Sequence, residues 1–113
     1  MVEVIFYRDS HDRLSRFFAS GHVEIPESSA DEYSLVCAAV SSILQAARAG
    51  LEHHAKVALE TRMERGHFEV AWPETARDDA AVIAIVATAE LAIAQIARQY
   101  PTHVHVTRSV QTG

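Results

Sequence analysis

The chain has 113 residues, 49% of them hydrophobic, which fits a single domain spanning residues 1–113 and excludes a disordered tail. The net charge of −5, with histidine counted neutral, argues against direct binding of nucleic acid, which needs a basic face to displace counterions. A lone cysteine, Cys37, rules out an intramolecular disulfide. The opening Met1-Val2-Glu3-Val4 lacks the basic and apolar regions of a signal peptide, and the apolar run from Ala80 to Ala87 is shorter than the roughly 20 residues of a bilayer span. The expectation is a soluble cytoplasmic protein with no membrane partner.

Val2 to Tyr7 is rich in β-branched and aromatic residues and suits a strand. His11-Asp12 falls in a polar turn, and Leu14 to Ser20 reads as a second strand hairpinned to the first. Gly21 breaks the pattern. Residues 22–34 read as a loop carrying Pro26 and the carboxylates Glu24, Glu27, Asp31 and Glu32.

Helical spacing begins near Ser34, a suitable N-cap, and Val36, Val40, Ile43, Leu44 and Ala47 form one apolar stripe that Gly50 ends. Val57 to Arg62 and His67 to Trp72 read as two strands around Glu64-Arg65-Gly66. Asp78 or Asp79 caps a second helix running to about Tyr100; its apolar content on nearly all sides predicts burial, and Pro101 stops it. Val104 and Val106 alternate with His103 and His105 in a last strand. The order β-β-α-β-β-α-β predicts an α+β fold, a mixed sheet with two helices packed on it.

The chemistry centres on Gly21-His22, the loop, and Val36-Cys37-Ala38-Ala39-Val40-Ser41. A cysteine in the first turn of a helix lies near unpaired N–H groups and partial positive charge, which favour the thiolate and could hold an oxyanion. A histidine at the end of the preceding strand could take the thiol proton and return one to a leaving amine. Ser41, one turn after Cys37, shares its face. A single cysteine among Val and Ala also suits a small core residue, and a histidine after glycine suits a turn.

Gly21-His22 followed by Leu35-Val36-Cys37-Ala38-Ala39-Val40-Ser41 resembles the signature of the ribosomal-processing cysteine proteases, the Prp family. Phe6 and Arg8, Phe18, Ala49-Gly50-Leu51-Glu52 and Gln99-Tyr100-Pro101 fall in the order that the resemblance requires. It implies a β-sheet with two helices, usually a homodimer. It also implies a cysteine endopeptidase that removes the N-terminal extension of a bacterial large-subunit ribosomal protein, the twenty-seventh in that subunit's naming. By the same resemblance Cys37 is the nucleophile and His22 the general base. Gly21 lets the substrate backbone approach, Ser34 and Ser41 support the site, and no cofactor or metal is required. Two features depart from the family pattern. Ser34 stands where an Asp is usual, and the loop between His22 and Cys37 is longer. Serine can cap a helix but cannot hold an imidazolium as a carboxylate does, so Asp31 or Glu32 is expected to supply that charge. The rival reading is a catalytically inactive, ribosome-associated binding module of the same fold.

Three further patterns read as structural. His103 and His105 share a strand face, with no nearby cysteine or carboxylate to complete a metal site. Trp72 anchors a strand end in the core or in a subunit contact. Phe17 and Phe18 fall on opposite faces of their strand.

Overall fold

A computed structural model describes residues 1–21 and 31–110, and the backbone alone at 31–34. The elements follow the expected order: β1 (Val2–Arg8), β2 (Leu14–Ser20), α1 (Asp31–Ala49), β3 (Glu60–Glu64), β4 (His67–Ala71), α2 (Ala80–Gln99) and β5 (Val104–Val110). The strands form one mixed sheet in the order β3-β4-β2-β1-β5. β5 runs parallel to β1, while the β1–β2, β2–β4 and β3–β4 pairs are antiparallel.

The pleat sorts the side chains. Val2, Val4, Phe6, Phe17, Val70, Trp72 and Val104 are buried beneath the helices. From α1 come Val36, Val40, Leu44 and Ala47, and from α2 come Val82, Val86, Ala89 and Ile93. Phe17 lies at the centre, its ring 6.1 Å from Phe6, 5.9 Å from Phe68 and 6.0 Å from Trp72. Trp72 belongs to the core rather than to a subunit contact, and its indole N–H donates to the Leu14 carbonyl at 2.9 Å. Phe18 turns to the open face and meets the His67 ring edge-on at 4.7 Å.

Several boundaries differ from expectation for identifiable reasons. Helix α1 starts at Asp31, so Ser34 lies inside it and is not its N-cap. The polar residues Asp31 to Ser34 belong to the helix although the apolar stripe has not begun. Gly50 does not end the helical winding. It opens a wider turn over Gly50–His54, closed by the Ala55 N–H on the Gly50 carbonyl at 3.0 Å. A side chain at Gly50 would begin 3.4 Å from Ile85 Cδ1, so glycine lets α1 approach α2 closely. The Val57 N–H is still bonded to Leu51 O at 3.0 Å, which delays β3 to Glu60. Of the two candidate caps for α2, Asp79 takes the role, its carboxylate accepting from the N–H groups of Ala81 and Val82 at 2.8 and 3.3 Å. Asp78 pairs with Arg13 at 2.9 Å.

Helix α2 is not buried all round. Its outward side exposes Ile83 and Leu91, the latter at 65%. The helical stretches Leu35–His54 and Ala80–Gln99 are long and apolar enough to cross a membrane by length and composition, and α1 and α2 each contribute to the buried core. Glu90 is buried on α2, where Arg108 of β5 donates to its carboxylate at 2.7 and 3.1 Å. The expected His103–His105 pair is split. His103 precedes β5 and stacks on Tyr100 at 6.3 Å, while His105 is exposed on the strand.

Candidate active site

Cys37 lies half-buried on α1, on the wall of a groove of about 340 Å³. Val40, Ser41, Leu44 and Gln45 continue that wall, because residues three and four apart share a helix face. The β3–β4 hairpin from Met63 to Phe68 stands opposite. Val2, Ala19 and Ser20, at the adjoining ends of β1 and β2, complete the lining. The groove therefore joins one thiol, one exposed hydroxyl and a largely apolar bed. That arrangement suits a peptide laid alongside a nucleophile.

Cys37 is not in the first helical turn. With Asp31 first in α1, it is the seventh residue. Its N–H lies beyond the four unpaired amides at the start of a helix, and the dipole's influence falls off within that first turn. The Cα–Cβ bond still tilts the thiol toward the helix N-terminus. The helix start therefore offers less stabilisation of a thiolate than a first-turn cysteine would receive.

Gly21 is where the described chain leaves β2, one residue beyond the Glu3↔Ser20 pair. Its φ is +94°, and a Cβ there would overlap the carbonyl oxygen of Met1 and lie 3.1 Å from that carbonyl carbon. The position that a side chain would take at Gly21 is thus filled by the chain's own first residue. Ser41 shares the groove with Cys37 as its spacing predicts. His22 and the side chain of Ser34, like those of Asp31 and Glu32, lie outside the described residues.

The hairpin wall was missing from the sequence reading. Glu64-Arg65-Gly66 marks a turn, but nothing local says which helix it will face. His67 also borders the groove, and its sequence context carries no signal of that. Its strand position pairs it with Ser20 and Glu64, and its ring packs on Phe18 of the open face, away from the helix that carries the thiol.

The fold is shared with solved structures. SMU.848 from Streptococcus mutans superposes with a TM-score of 0.83 at 22% identity, over 98% of this chain and 99% of that one. The essential ribosomal processing protease Prp from S. aureus, in complex with a substrate peptide, gives 0.81 at 16% identity, over 96% and 99%. The same protease with a covalently linked product peptide gives 0.80 at 17% identity, with the same coverage. No curated protein sequence matches the chain. The pattern of the family described as cysteine protease Prp matches residues 1–105, from the first strand into the last, and the chain belongs to that family of cysteine proteases.

Proposed function

We propose that this protease removes the N-terminal extension of a bacterial large-subunit ribosomal protein, the twenty-seventh, in the cytoplasm, by a Cys37–His22 dyad. The carrying observation is the groove that holds the Cys37 thiol beside Ser41 in a chain of this family. The S. aureus relative is a ribosomal processing protease seen with a substrate peptide and with a covalently linked product peptide. A covalent link to product is what nucleophilic catalysis leaves behind.

In this reading His22 takes the thiol proton and the Cys37 sulfur attacks the scissile carbonyl. The tetrahedral intermediate collapses to a thioacyl enzyme as the amine departs with a proton from His22. Water, deprotonated by the same imidazole, then releases the acid and restores the thiol. Ser41 contributes a hydrogen bond along the groove. The test is to mix the protein with the intact ribosomal protein and follow its mass. Loss of an N-terminal peptide is expected with wild type and absent with Cys37→Ala.

The protein acts as a homodimer. An apolar trough of about 470 Å³ between the helices, lined by Ile43, Ala46, Gly50, Ala84, Ile85 and Ala92, supports this, together with exposed Ile83 and Leu91. Sedimentation at a single mass of one chain would contradict it. One observation favours the inactive binding module instead. The family's usual Asp is replaced by Ser34, which cannot hold an imidazolium. Binding of the ribosomal protein without cleavage, with cleavage gained in Ser34→Asp, would select that reading.

A further inference from the structure

We propose that the outer edge of β5, with the groove between it and α2, docks an extended acidic segment of a partner protein, which joins the sheet as a sixth strand. The two edges of the sheet are built differently. β3 closes one side with five residues, all exposed, and Glu60, Arg62 and Glu64 put charge along it. Such charges blunt an edge against further pairing. β5 closes the other side with seven residues, of which Val104, Val106, Thr107 and Val110 are β-branched, and it carries neither proline nor a bulge. Its register with β1 fixes which backbone groups face out. The Val2 N–H donates to His103 O at 2.8 Å, so in this parallel pair the N–H and C=O groups of Val106, Arg108 and Val110 point away from β1. No strand among the described residues meets them.

Beside that edge runs a groove of about 630 Å³. Ala94 and Ala97 of α2 form one wall and Val104 and Val106 of β5 the other, and the alanines leave room for the side chains of an added strand. The chain reverses between α2 and β5, where the N–H groups of His103 and Val104 both donate to Tyr100 O, at 2.9 and 3.1 Å. Arg98 therefore stands at the Val104 end of the groove and Arg108 at the far end. Arg98 is exposed and has no ionic partner among the described residues. Glu90 is the one carboxylate among the described residues that line the groove, and Arg108 already occupies both its oxygens, while the Arg108 side chain stays 62% exposed. On a chain of net charge −5, this groove thus presents a cation at each end. A second copy of β5 pairing here would bring another Arg108 to the same edge, like charge against like. A strand carrying carboxylates meets opposite charge instead, and that difference selects the occupant.

The test titrates the isotope-labelled protein with capped seven-residue peptides and follows its backbone amides by NMR. The peptides alternate valine and threonine. One has glutamate at both ends, one has lysine at both ends, and the third is the glutamate peptide N-methylated at every valine and threonine. The glutamate peptide is expected to bind saturably and to shift the amides of Val106, Arg108 and Val110. The lysine peptide should bind about tenfold more weakly, and Arg98→Glu should erase that preference. N-methylation should abolish binding, because it removes the peptide's donors and keeps its charge. Binding of neither end-charged peptide, equal binding of the two, undiminished binding of the N-methylated form, or shifts at Ser41 and Met63 of the Cys37 groove in place of β5 would overturn the proposal. So would β5 amides in the free protein that shift with its own concentration, the sign of a second copy on the edge. The readout involves no cleavage, so it holds whatever the protease's substrate.

Discussion

The two ends of the β1–β2 hairpin are built from different materials. At the turn, Asp9 is held by four donors: the N–H groups of His11 and Arg13 at 2.9 and 3.1 Å, and the guanidinium groups of Arg13 and Arg77, each at 3.1 Å. Arg13 continues outward to Glu74 and Asp78, and Arg77 to the Trp72 carbonyl. At the other end, Ser20 pairs with Glu3, and the Met1 carbonyl fills the place of a Gly21 side chain, beside a groove that is mostly apolar. The turn is fastened by charge, and the groove end by shape. Charge-assisted bonds tolerate small shifts of side chains, whereas a backbone seated on a carbonyl does not. The Cys37 groove lies at the end fastened by shape.

The largest stability change should come from removing what both ends share. Phe17→Ala empties the centre of the aromatic cluster and is expected to cost about 3–5 kcal/mol in urea unfolding. It should weaken the turn and the groove together; an effect confined to one end would break the picture of a common core.

Asp9→Ala separates the two ends. Burial opposes ionisation of Asp9, but hydrogen bonds from the Arg13 and His11 amides and the Arg77 and Arg13 side chains outweigh it and hold the carboxyl well below the usual range. Its folded pKa is depressed, so its contribution is present above the ordinary carboxylate value of about 3.9 and is lost as pH falls below it. Thermal midpoints of wild type and Asp9→Ala should therefore differ at pH 7 and converge in acid. Cys37 alkylation should be unaffected in the variant; a displaced alkylation profile would couple the ends.

Ser41→Ala should act at the groove alone. Loss of one hydrogen bond, about 0.5–1.5 kcal/mol net, lowers cleavage up to roughly tenfold with no change in thermal midpoint. Gly50→Ala should be smallest. The new methyl meets Ile85 at 3.4 Å, and a change in stability within about 1 kcal/mol is expected.

Much of this was legible in the residues because it is periodic or local. The β-branched and aromatic content of Val2–Tyr7, the stripe from Val36 to Ala47 and the choice of Asp78 or Asp79 as the cap of α2 are read at short range. Cys37 and Ser41 fall on one wall because four residues make about one helical turn. What escaped the sequence depends on distant partners. Asp31 to Ser34 lack apolar spacing, so the helix start was placed too late, and with it the turn that holds Cys37. The delay of β3 follows from the wide turn that begins at Gly50, where α1 comes close to Ile85 of α2. The hairpin wall at Met63–Phe68 and the seat of Gly21 on Met1 join segments far apart in the chain, and no local pattern announces either. The outward side of α2 carries the same alanines and branched residues as its buried side, so composition could not tell them apart.

The central claim is that the Cys37 groove cleaves a ribosomal protein's N-terminal extension. Incubating purified wild type and Cys37→Ala with that protein, and recording intact masses over time, tests it most directly. The account predicts a shortened protein plus a released N-terminal peptide with wild type, and an unchanged mass with Cys37→Ala. Equal cleavage by both, or by neither, would contradict it.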